Sequence, residues 1–251
     1  MNRDIVRIVL VETTHAGNIG AVARAMKTMG LADLALVRPR AYQTHECYAR
    51  ASGADDIIDN ATVHADLQSA LEDSAWVIGT SARLRSLRWP QYDAREAAAQ
   101  VDVHSSAGPV AIVFGRESSG LSNDELARCS ALLTIPAENE FSSLNLGAAV
   151  QVVCYEIMMA SLAGRTAQGA EQTSDQVASE SIATQRELEH FYHHLTGVMS
   201  EVGFFNKDNP RLLDGRLRRL FNRSGMLKTE VQLLRGFFSA IEKKMAGSES
   251  R

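Results

Sequence analysis

Cysteine is scarce in this chain, since only Cys47, Cys129 and Cys154 occur among its 251 residues. They are odd in number, far apart and set in apolar or helical surroundings, so the sequence offers neither a disulfide framework nor a Cys-x-x-Cys metal site. The seven histidines form no His-Glu-x-x-His motif, and adjacent His193 and His194 point to different sides of a helix. We expect three buried thiols and no metal ion.

Long apolar runs are also lacking. We find no apolar run close to the roughly 18 residues that a membrane span requires. The N-terminal sequence MNRDIVRIVLVE enters a strand pattern directly, without the apolar segment of a signal peptide. These absences predict a cytoplasmic protein that does not bind membranes.

The small net charge of -4 conceals an asymmetry along the chain. Residues 1–164 carry 13 Lys and Arg against 19 Asp and Glu, whereas residues 165–251 carry 13 against 11. Within the tail, residues 205–235 hold eight basic side chains against three acidic ones. This excess favours a polyanionic partner, with a solvated helix face as an equally weighted alternative.

The first 164 residues alternate short apolar runs with helical patterns. The apolar runs are Ile5–Glu12, Leu34–Val37, Trp76–Thr80, Val110–Phe114 and Leu132–Ile135. Such alternation, in a chain that is 45% hydrophobic and 22% charged, predicts an α/β fold with a mainly parallel sheet between two layers of helices. Leu144–Leu162 is apolar on nearly every face, which predicts a largely buried helix that a second copy of the chain would help to cover.

Residues 165–181 contain one large aliphatic residue, Val177, and predict a flexible linker. The tail beyond it has three helical patterns, which are Gln185–Val202, Pro210–Arg223 with Asn209 as N-cap, and Thr229–Met245. We therefore divide the chain into a domain of residues 1–164, a linker of residues 165–181 and a small basic α-helical extension of residues 182–251.

Two glycine-rich loops follow predicted strands, and neither matches a nucleotide-binding motif. The loop THAGNIG has Gly17 and Gly20 but not the spacing of a dinucleotide fingerprint. The loop GRESSG has Gly115 and Gly120 at P-loop separation, but Leu-Ser follows in place of Lys-Ser/Thr. An NTPase and a nucleotide-dependent oxidoreductase are therefore disfavoured.

Four loops at the carboxyl ends of predicted strands carry polar or small residues. Asn18-Ile19-Gly20, with Arg24 one turn into the helix, follows the first strand, and Gly79–Arg83 follows the strand at Trp76. Phe114–Leu121 and then Ile135-Pro136 with Phe141–Asn145 follow the later strands. In a parallel sheet these loops meet at the edge where ligands bind in open α/β proteins.

The motifs Asn-x-Gly-x-x-x-Arg at 18–24, FGRESSGL at 114–121 and Ile-Pro followed by SSLNL at 135–146 resemble those of a known family. This family is the SpoU/TrmH branch of the SPOUT class of S-adenosylmethionine-dependent RNA ribose 2'-O-methyltransferases. The opening VETTHAGNIGAVARAMKTMGL and the basic helical extension are more narrowly similar to the TrmJ type, which methylates the ribose of C or U at position 32 in the tRNA anticodon loop.

The resemblance implies a sheet with a deep C-terminal trefoil knot, a homodimer, tRNA as partner and S-adenosyl-L-methionine (AdoMet) as cofactor, with S-adenosyl-L-homocysteine as product and no metal. The catalytic residues it implies are Arg24, Asn18, Glu117, Ser143 and Asn145. The implied cofactor-binding residues are Thr80, Ser81, Ala82, Gly115, Ile135, Ser142, Ser143 and Leu144.

Basic side chains in the loops and the tail are the candidates for RNA contact. They are Lys27, Arg83, Arg85, Arg88, Arg211, Arg216, Arg218, Arg219 and Arg223. Trp89 is either a base-stacking residue or, as we prefer, an anchor for its loop. The same motifs leave open a ribosomal RNA methyltransferase, or a non-catalytic RNA-binding module on the same scaffold.

Overall fold

The computed structural model describes residues 3–81, 89–138, 143–167, 181–205 and 213–248. The strands are β1 (Val6–Val11), β2 (Asp33–Val37), β3 (Thr62–His64), β4 (Trp76–Thr80), β5 (Gln91–Tyr92), β6 (Val110–Phe114) and β7 (Ala131–Leu133). The helices are α1 (Ala16–Thr28), α2 (His45–Ala51), α3 (Asp55–Asp59), α4 (Leu67–Leu71), α5 (Ala94–Ser105), α6 (Asn123–Leu126), α7 (Leu146–Ala167), α8 (Gln185–Glu201), α9 (Leu213–Asn222) and α10 (Lys228–Ser248).

The seven strands form one sheet in the order β3-β2-β1-β6-β4-β7-β5, and its six ladders are all parallel. The α/β prediction is therefore confirmed. The sequence analysis missed β3 and β5 because edge strands of three and two residues are too short to carry an apolar pattern. The path that would form the predicted knot includes residues 82–88 and 139–142, which lie outside the described residues.

The period of two in the central strand divides the core between the two faces of the sheet. On β1, Ile8 and Leu10 join the core that contains residues of α1, α5 and α7, whereas Val9 and Val11 join the core beneath α4 and α6. The strand is buried on both faces, as its continuous apolar run predicted.

Helix α7 is less buried than its composition predicted. Residues such as Val150, Val153 and Ile157 are fully buried on one side, but an opposite stripe of apolar side chains is exposed. This stripe consists of Val152, Tyr155, Met159 and Leu162. The segment Leu146–Ala163 also has the length and mean hydropathy, 1.6, of a candidate membrane span, so our expectation that no such segment exists was wrong. Since its other side lies in the core, α7 has the character of a core helix with one uncovered face.

The three C-terminal helices have a core of their own and also dock on the sheet domain. Phe191 on α8 packs among aromatic and aliphatic side chains of α9 and α10. The backbone N–H of Gln185 donates to the carbonyl of Ser74 at 3.0 Å, and the Arg186 guanidinium pairs with Glu72 at 2.6 Å. The helical extension is thus hydrogen-bonded to the sheet domain, although residues 168–180 of the predicted linker lie outside the described chain.

Candidate active site

The loops that follow β1, β4, β6 and β7 lie at the carboxyl edge of the sheet, and the last three surround a cavity of about 460 Å³. Six of the predicted cofactor residues line it, and these are Thr80, Ser81, Gly115, Ile135, Ser143 and Leu144. Ala82 and Ser142, predicted alongside them, lie outside the described residues. The remaining wall combines the apolar side chains of Leu121, Leu133 and Leu146 with the hydroxyls of Ser118 and Ser119.

Gly115 lets the chain turn back on itself beside this cavity. The backbones of Arg116 and Gly120 exchange two hydrogen bonds, and Gly120 has a φ of 68°. A Cβ at Gly115 would lie 2.2 Å from the carbonyl carbon of Gly120 and 2.4 Å from the nitrogen of Leu121. Only glycine at position 115 permits this close backbone approach.

A half-buried ion-pair network holds the same loop. The Arg116 guanidinium donates to Glu12 at 2.6 Å and to both carboxylate oxygens of Glu125 at 3.0 Å. The hydrogen bond from Arg116 lowers the pKa of Glu12. At Glu125 burial acts to raise the pKa, but hydrogen bonds from Arg116 and from the Ser122 N–H outweigh burial, so that its pKa is lowered. Glu125 also closes a capping box with Ser122 at the start of α6. Glu12 and Arg116 are 104 residues apart, so no local sequence pattern predicts that they pair.

Three predicted catalytic residues form a continuous chain of hydrogen bonds. The Asn18 Nδ2 donates to Glu117 Oε1 at 3.0 Å, and the Asn145 Nδ2 donates to Asn18 Oδ1 at 3.0 Å. Asn145 Oδ1 in turn accepts from the backbone N–H of Gly147 and so caps α7. The other oxygen of Glu117 accepts from the N–H and the hydroxyl of Thr14. The first turn of α1 and the loops that carry Glu117 and Asn145 are therefore held in one arrangement.

Glu117 remains ionised in this arrangement. Burial acts to raise the pKa of its carboxyl, but hydrogen bonds from Asn18 and from backbone N–H groups outweigh it and lower the pKa. Glu117 therefore serves as a hydrogen-bond acceptor that connects the loops after β1 and β6.

Arg24 stands on the exposed side of α1, together with Lys27 and Thr28, as predicted. Among the described residues no carboxylate pairs with its guanidinium, in contrast to Lys27, which pairs with Asp56 at 2.6 Å. With respect to the described residues, Arg24 is thus an unpaired cation on α1, the helix that also contains Asn18.

The predicted RNA-contact residues of the tail divide into two groups. Arg216 and Arg223 are exposed, and within the part of the chain described here their side chains have no ion-pair partner. Arg218 is only 17% exposed, because Glu189 and Asp214 bind its guanidinium and the Tyr192 ring lies 4.7 Å away. Arg219 lies over the Trp89 ring. Of the remaining candidates, Arg83, Arg85, Arg88 and Arg211 lie outside the described residues.

Arg218 therefore differs from the other arginines of α9 that were predicted to contact RNA. The acidic Glu189 and the Tyr192 ring compensate its charge in a half-buried position, while the apolar side chain of Leu220 on the same helix is 47% exposed. Trp89 is 7% exposed and donates its Nε1–H to the carbonyl of Cys129, which confirms its interpretation as an anchor.

Within the described residues no cluster of His, Cys, Asp or Glu has the arrangement of a metal site. All three cysteines are buried as expected, and burial raises the pKa of Cys129 and of Cys154 to about 12. They are therefore unreactive thiols.

Comparison with known proteins agrees with this geometry. The model of the SpoU rRNA Methylase family matches residues 5–155, and that of the C-terminal domain of tRNA methyltransferase TrmJ matches residues 186–250. The tRNA (cytidine/uridine/adenosine-2'-O-)-methyltransferase TrmJ of Pseudomonas aeruginosa is 46% identical over 247 residues, covering 97% of this chain and 96% of its own.

Solved structures give the same assignment. The crystal structure of TrmJ from Z. mobilis ZM4 is 34% identical with a TM-score of 0.80, covering 94% of this chain and 98% of its own. The SpoU methyltransferase AviRb from Streptomyces viridochromogenes, solved in complex with AdoMet, shares the fold alone, with 19% identity, a TM-score of 0.51 and coverage of 65% of this chain and 63% of its own. The chain belongs to the TrmJ family of tRNA (cytidine/uridine-2'-O-)-methyltransferases, within the SpoU methylases.

Proposed function

We propose that this enzyme uses AdoMet to methylate the ribose 2'-hydroxyl of the pyrimidine, C or U, at position 32 of the tRNA anticodon loop. The observation that carries the proposal is the hydrogen-bonded chain Glu117–Asn18–Asn145, which joins α1 and two loops in a chain of the TrmJ family, with Glu117 on the cavity wall. Arg24 stands exposed on the same helix as Asn18, without an ion-pair partner among the described residues.

The cavity suits a bent AdoMet molecule. Its volume of about 460 Å³ lies within the range of small-molecule sites. Gly115 exposes backbone groups beside it, hydroxyls such as that of Ser81 supply hydrogen bonds, and Ile135 and Leu144 supply apolar surface. AdoMet would supply a methyl carbon that its positively charged sulfonium makes electrophilic. The bond from this carbon to the 2'-oxygen would form as its bond to sulfur breaks, S-adenosyl-L-homocysteine would leave as a neutral thioether, and the hydroxyl proton would pass to solvent, so the proposal includes no metal ion.

The cofactor-binding set that we propose keeps the sequence assignments. It comprises Thr80, Ser81, Ala82, Gly115, Ile135, Ser142, Ser143 and Leu144, of which Ala82 and Ser142 lie outside the described residues. Ser143 would also bring its hydroxyl close to the reacting atoms.

Arg24 is the proposed catalytic residue on the RNA side. A guanidinium group keeps its proton at neutral pH, so it does not act as a proton acceptor. Its charge instead orients the ribose and an adjacent phosphate and stabilises the negative charge that develops on the 2'-oxygen. Asn18, Glu117 and Asn145 hold the loops around that position.

The RNA surface that we propose includes the exposed Arg216 and Arg223, together with Lys27. Arg83, Arg85, Arg88 and Arg211, outside the described residues, complete the set. Arg218 leaves this set, because an RNA contact would break its ion pairs with Glu189 and Asp214. We propose further that the enzyme works as a cytoplasmic homodimer and that the division into residues 1–164, 165–181 and 182–251 is functional.

The experiment is methylation of defined RNA by the full-length protein. Purified enzyme is incubated with AdoMet and a tRNA transcript carrying C or U at position 32, and 2'-O-methylation is mapped along the chain. We expect modification at position 32 and none in a transcript with a 2'-deoxyribose there. If the enzyme methylated ribosomal RNA and not tRNA, the proposed substrate would be wrong. If it bound RNA without methyl transfer, the proposed reaction would be wrong.

A further inference from the structure

The basic helix α9 contacts the sheet domain at Trp89. The Arg219 guanidinium lies 5.1 Å from the centre of the Trp89 ring, within the range of a cation–π interaction. Trp89 is 7% exposed in the folded chain, and the Arg219 guanidinium is one of the groups that cover its ring. An arginine from a predicted RNA-binding helix is thus engaged by an aromatic residue of the methyltransferase domain.

Trp89 is connected to the cavity through described residues alone. Its Nε1–H donates to the carbonyl of Cys129 at 3.3 Å. Cys129 and Leu121 both pack closely on Gly79. A Cβ at Gly79 would lie 2.8 Å from the Cys129 Sγ and 3.2 Å from the Leu121 side chain. Gly79 directly precedes Thr80, and both Thr80 and Leu121 line the cavity. Two packed contacts therefore separate Trp89 from the cavity wall.

A second contact fixes the register of α9 on the same region. Asn222 is 4% exposed, and its Nδ2 donates at 2.9 Å to the carbonyl of Ala127, two residues before Cys129. Its Oδ1 accepts from the hydroxyl of Tyr192 on α8. Glu189 adds an ionic bridge, because it binds Arg128 of the sheet domain at 2.7 Å as well as Arg218 of α9.

We propose that Arg219 is a positioning residue for methyl transfer, and that α9, held by Asn222, supports the cofactor cavity from behind through Trp89 and Cys129. The helical extension then has two roles, since its exposed arginines hold RNA while Arg219 stabilises the cavity wall. The inference rests on the proposed function, because it takes the cavity as the AdoMet site.

The test compares two arginines of α9 in the full-length protein. Arg219→Ala removes the contact with Trp89, and Arg219→Lys keeps a cation over the ring. Arg223→Ala removes an equal charge four residues further along the chain, where the arginine is exposed and no described side chain pairs with it. This variant serves as the reference for a lost RNA contact. AdoMet binding is measured by calorimetry without RNA, and kcat and the KM for tRNA are measured separately.

We expect Arg219→Ala to weaken AdoMet binding about two- to tenfold, the range that corresponds to a lost cation–π contact, and to lower kcat. Arg219→Lys should restore most of both. Arg223→Ala should leave AdoMet binding unchanged, raise the KM for tRNA and flatten the salt dependence of tRNA binding by roughly 0.7–0.9 per contact in log–log slope.

Two results would overturn the inference. One is wild-type AdoMet affinity and kcat in Arg219→Ala with a raised KM for tRNA, which would make Arg219 another RNA contact. The other is equal loss of AdoMet binding in Arg219→Lys and Arg219→Ala at temperatures where circular dichroism shows both to be folded, since the cation would then be irrelevant. If the wild-type protein itself binds no AdoMet, the proposed function fails before this inference is reached.

Discussion

Two arginines, Arg116 on the cavity wall and Arg24 on α1, illustrate how surroundings decide the role of a residue. Arg116 is 23% exposed and is held by Glu12 and Glu125, which together compensate its charge. Arg24 is exposed, and no described carboxylate neutralises it. Only the second arginine therefore has its charge available for an RNA phosphate or for a developing oxyanion.

The first prediction concerns Arg24. Arg24→Ala should lower the single-turnover rate of methyl transfer by about 10²- to 10³-fold, the usual cost of losing one preorganised donor to the transition state. Its AdoMet affinity should remain near that of the wild-type protein, because the charge acts on the ribose-phosphate side. Rapid-quench kinetics and calorimetry measure the two quantities, with Arg50→Ala on α2 as a control for loss of one exposed charge. A rate above half that of the wild type would remove Arg24 from the mechanism.

The second prediction concerns Gly115. Gly115→Ala places a methyl group within 2.6 Å of three backbone atoms of Gly120 and Leu121, which are not free to move as a flexible side chain would be. We expect a loss of about 1–3 kcal/mol in the free energy of unfolding, as for an overpacked site, together with weaker AdoMet binding. Urea denaturation and calorimetry test this.

Gly197 provides the matched control for Gly115. It lies within α8 and has no atom within 4 Å of the position its Cβ would take. Gly197→Ala should stabilise the protein by up to about 1 kcal/mol, because alanine has the higher helix propensity. Equal behaviour of the two variants would contradict the steric account of Gly115.

At the scale of elements, strand β4 and helix α5 are joined by an aromatic stack. The His104 ring lies 4.5 Å from the Trp76 ring at an angle of 9°. Burial lowers the pKa of His104 below its ordinary value. The neutral imidazole is thus the form that the folded state favours.

This lowered pKa predicts a pH dependence of stability. The unfolded chain binds the His104 proton more tightly than the folded chain does. The contribution of His104 to folding stability is therefore complete above its unfolded-state pKa of about 6.5. It is lost as the pH falls from there through the lower folded-state pKa. His104→Phe, which keeps a ring against Trp76, should flatten the fall in Tm below about pH 6.5. Replacing the exposed His193 by Gln should leave the slope as it is, and an unchanged slope in His104→Phe would refute the assignment.

At the scale of the whole molecule, the exposed stripe of α7 is the surface on which we expect a second copy of the chain to pack. Val152, Tyr155, Met159 and Leu162 follow one another at helical spacing, and each is 36–47% exposed in the single chain. A self-complementary contact of this stripe between two copies would cover it, as isologous dimers do. The stripe also explains why α7 is apolar on nearly every face.

At this scale we predict that the protein is a dimer and that a charged residue introduced into the exposed stripe of α7 disrupts it. Light scattering at micromolar concentration should give twice the chain mass of 27.4 kDa for the wild type, and Met159→Glu should shift it toward the monomer. Val63→Glu, at a side chain of similar exposure on edge strand β3, should leave the dimer intact. A wild-type protein of monomer mass would contradict the prediction.

The sequence by itself determined the class of fold and most of its elements, and it predicted the residues of the site. Period-two and period-3.6 apolar patterns are local properties, so Trp76–Thr80 and Val110–Phe114 have the bounds that the pattern predicted. Motif residues such as Asn18 and Glu117 were identifiable because their spacing is characteristic of the family.

Only the tertiary structure decided which polar groups meet across the chain. The pairing of Glu12 with Arg116, the burial of Arg218 against Glu189 and the contact of Arg219 with Trp89 join residues 29 to 130 positions apart. Each basic side chain looks alike in sequence, and its role depends on whether folding brings a carboxylate, an aromatic ring or only water to its charge. For the same reason the sequence predicted an apolar helix but not which face of α7 is exposed, because apolar composition does not say which face the rest of the chain will cover.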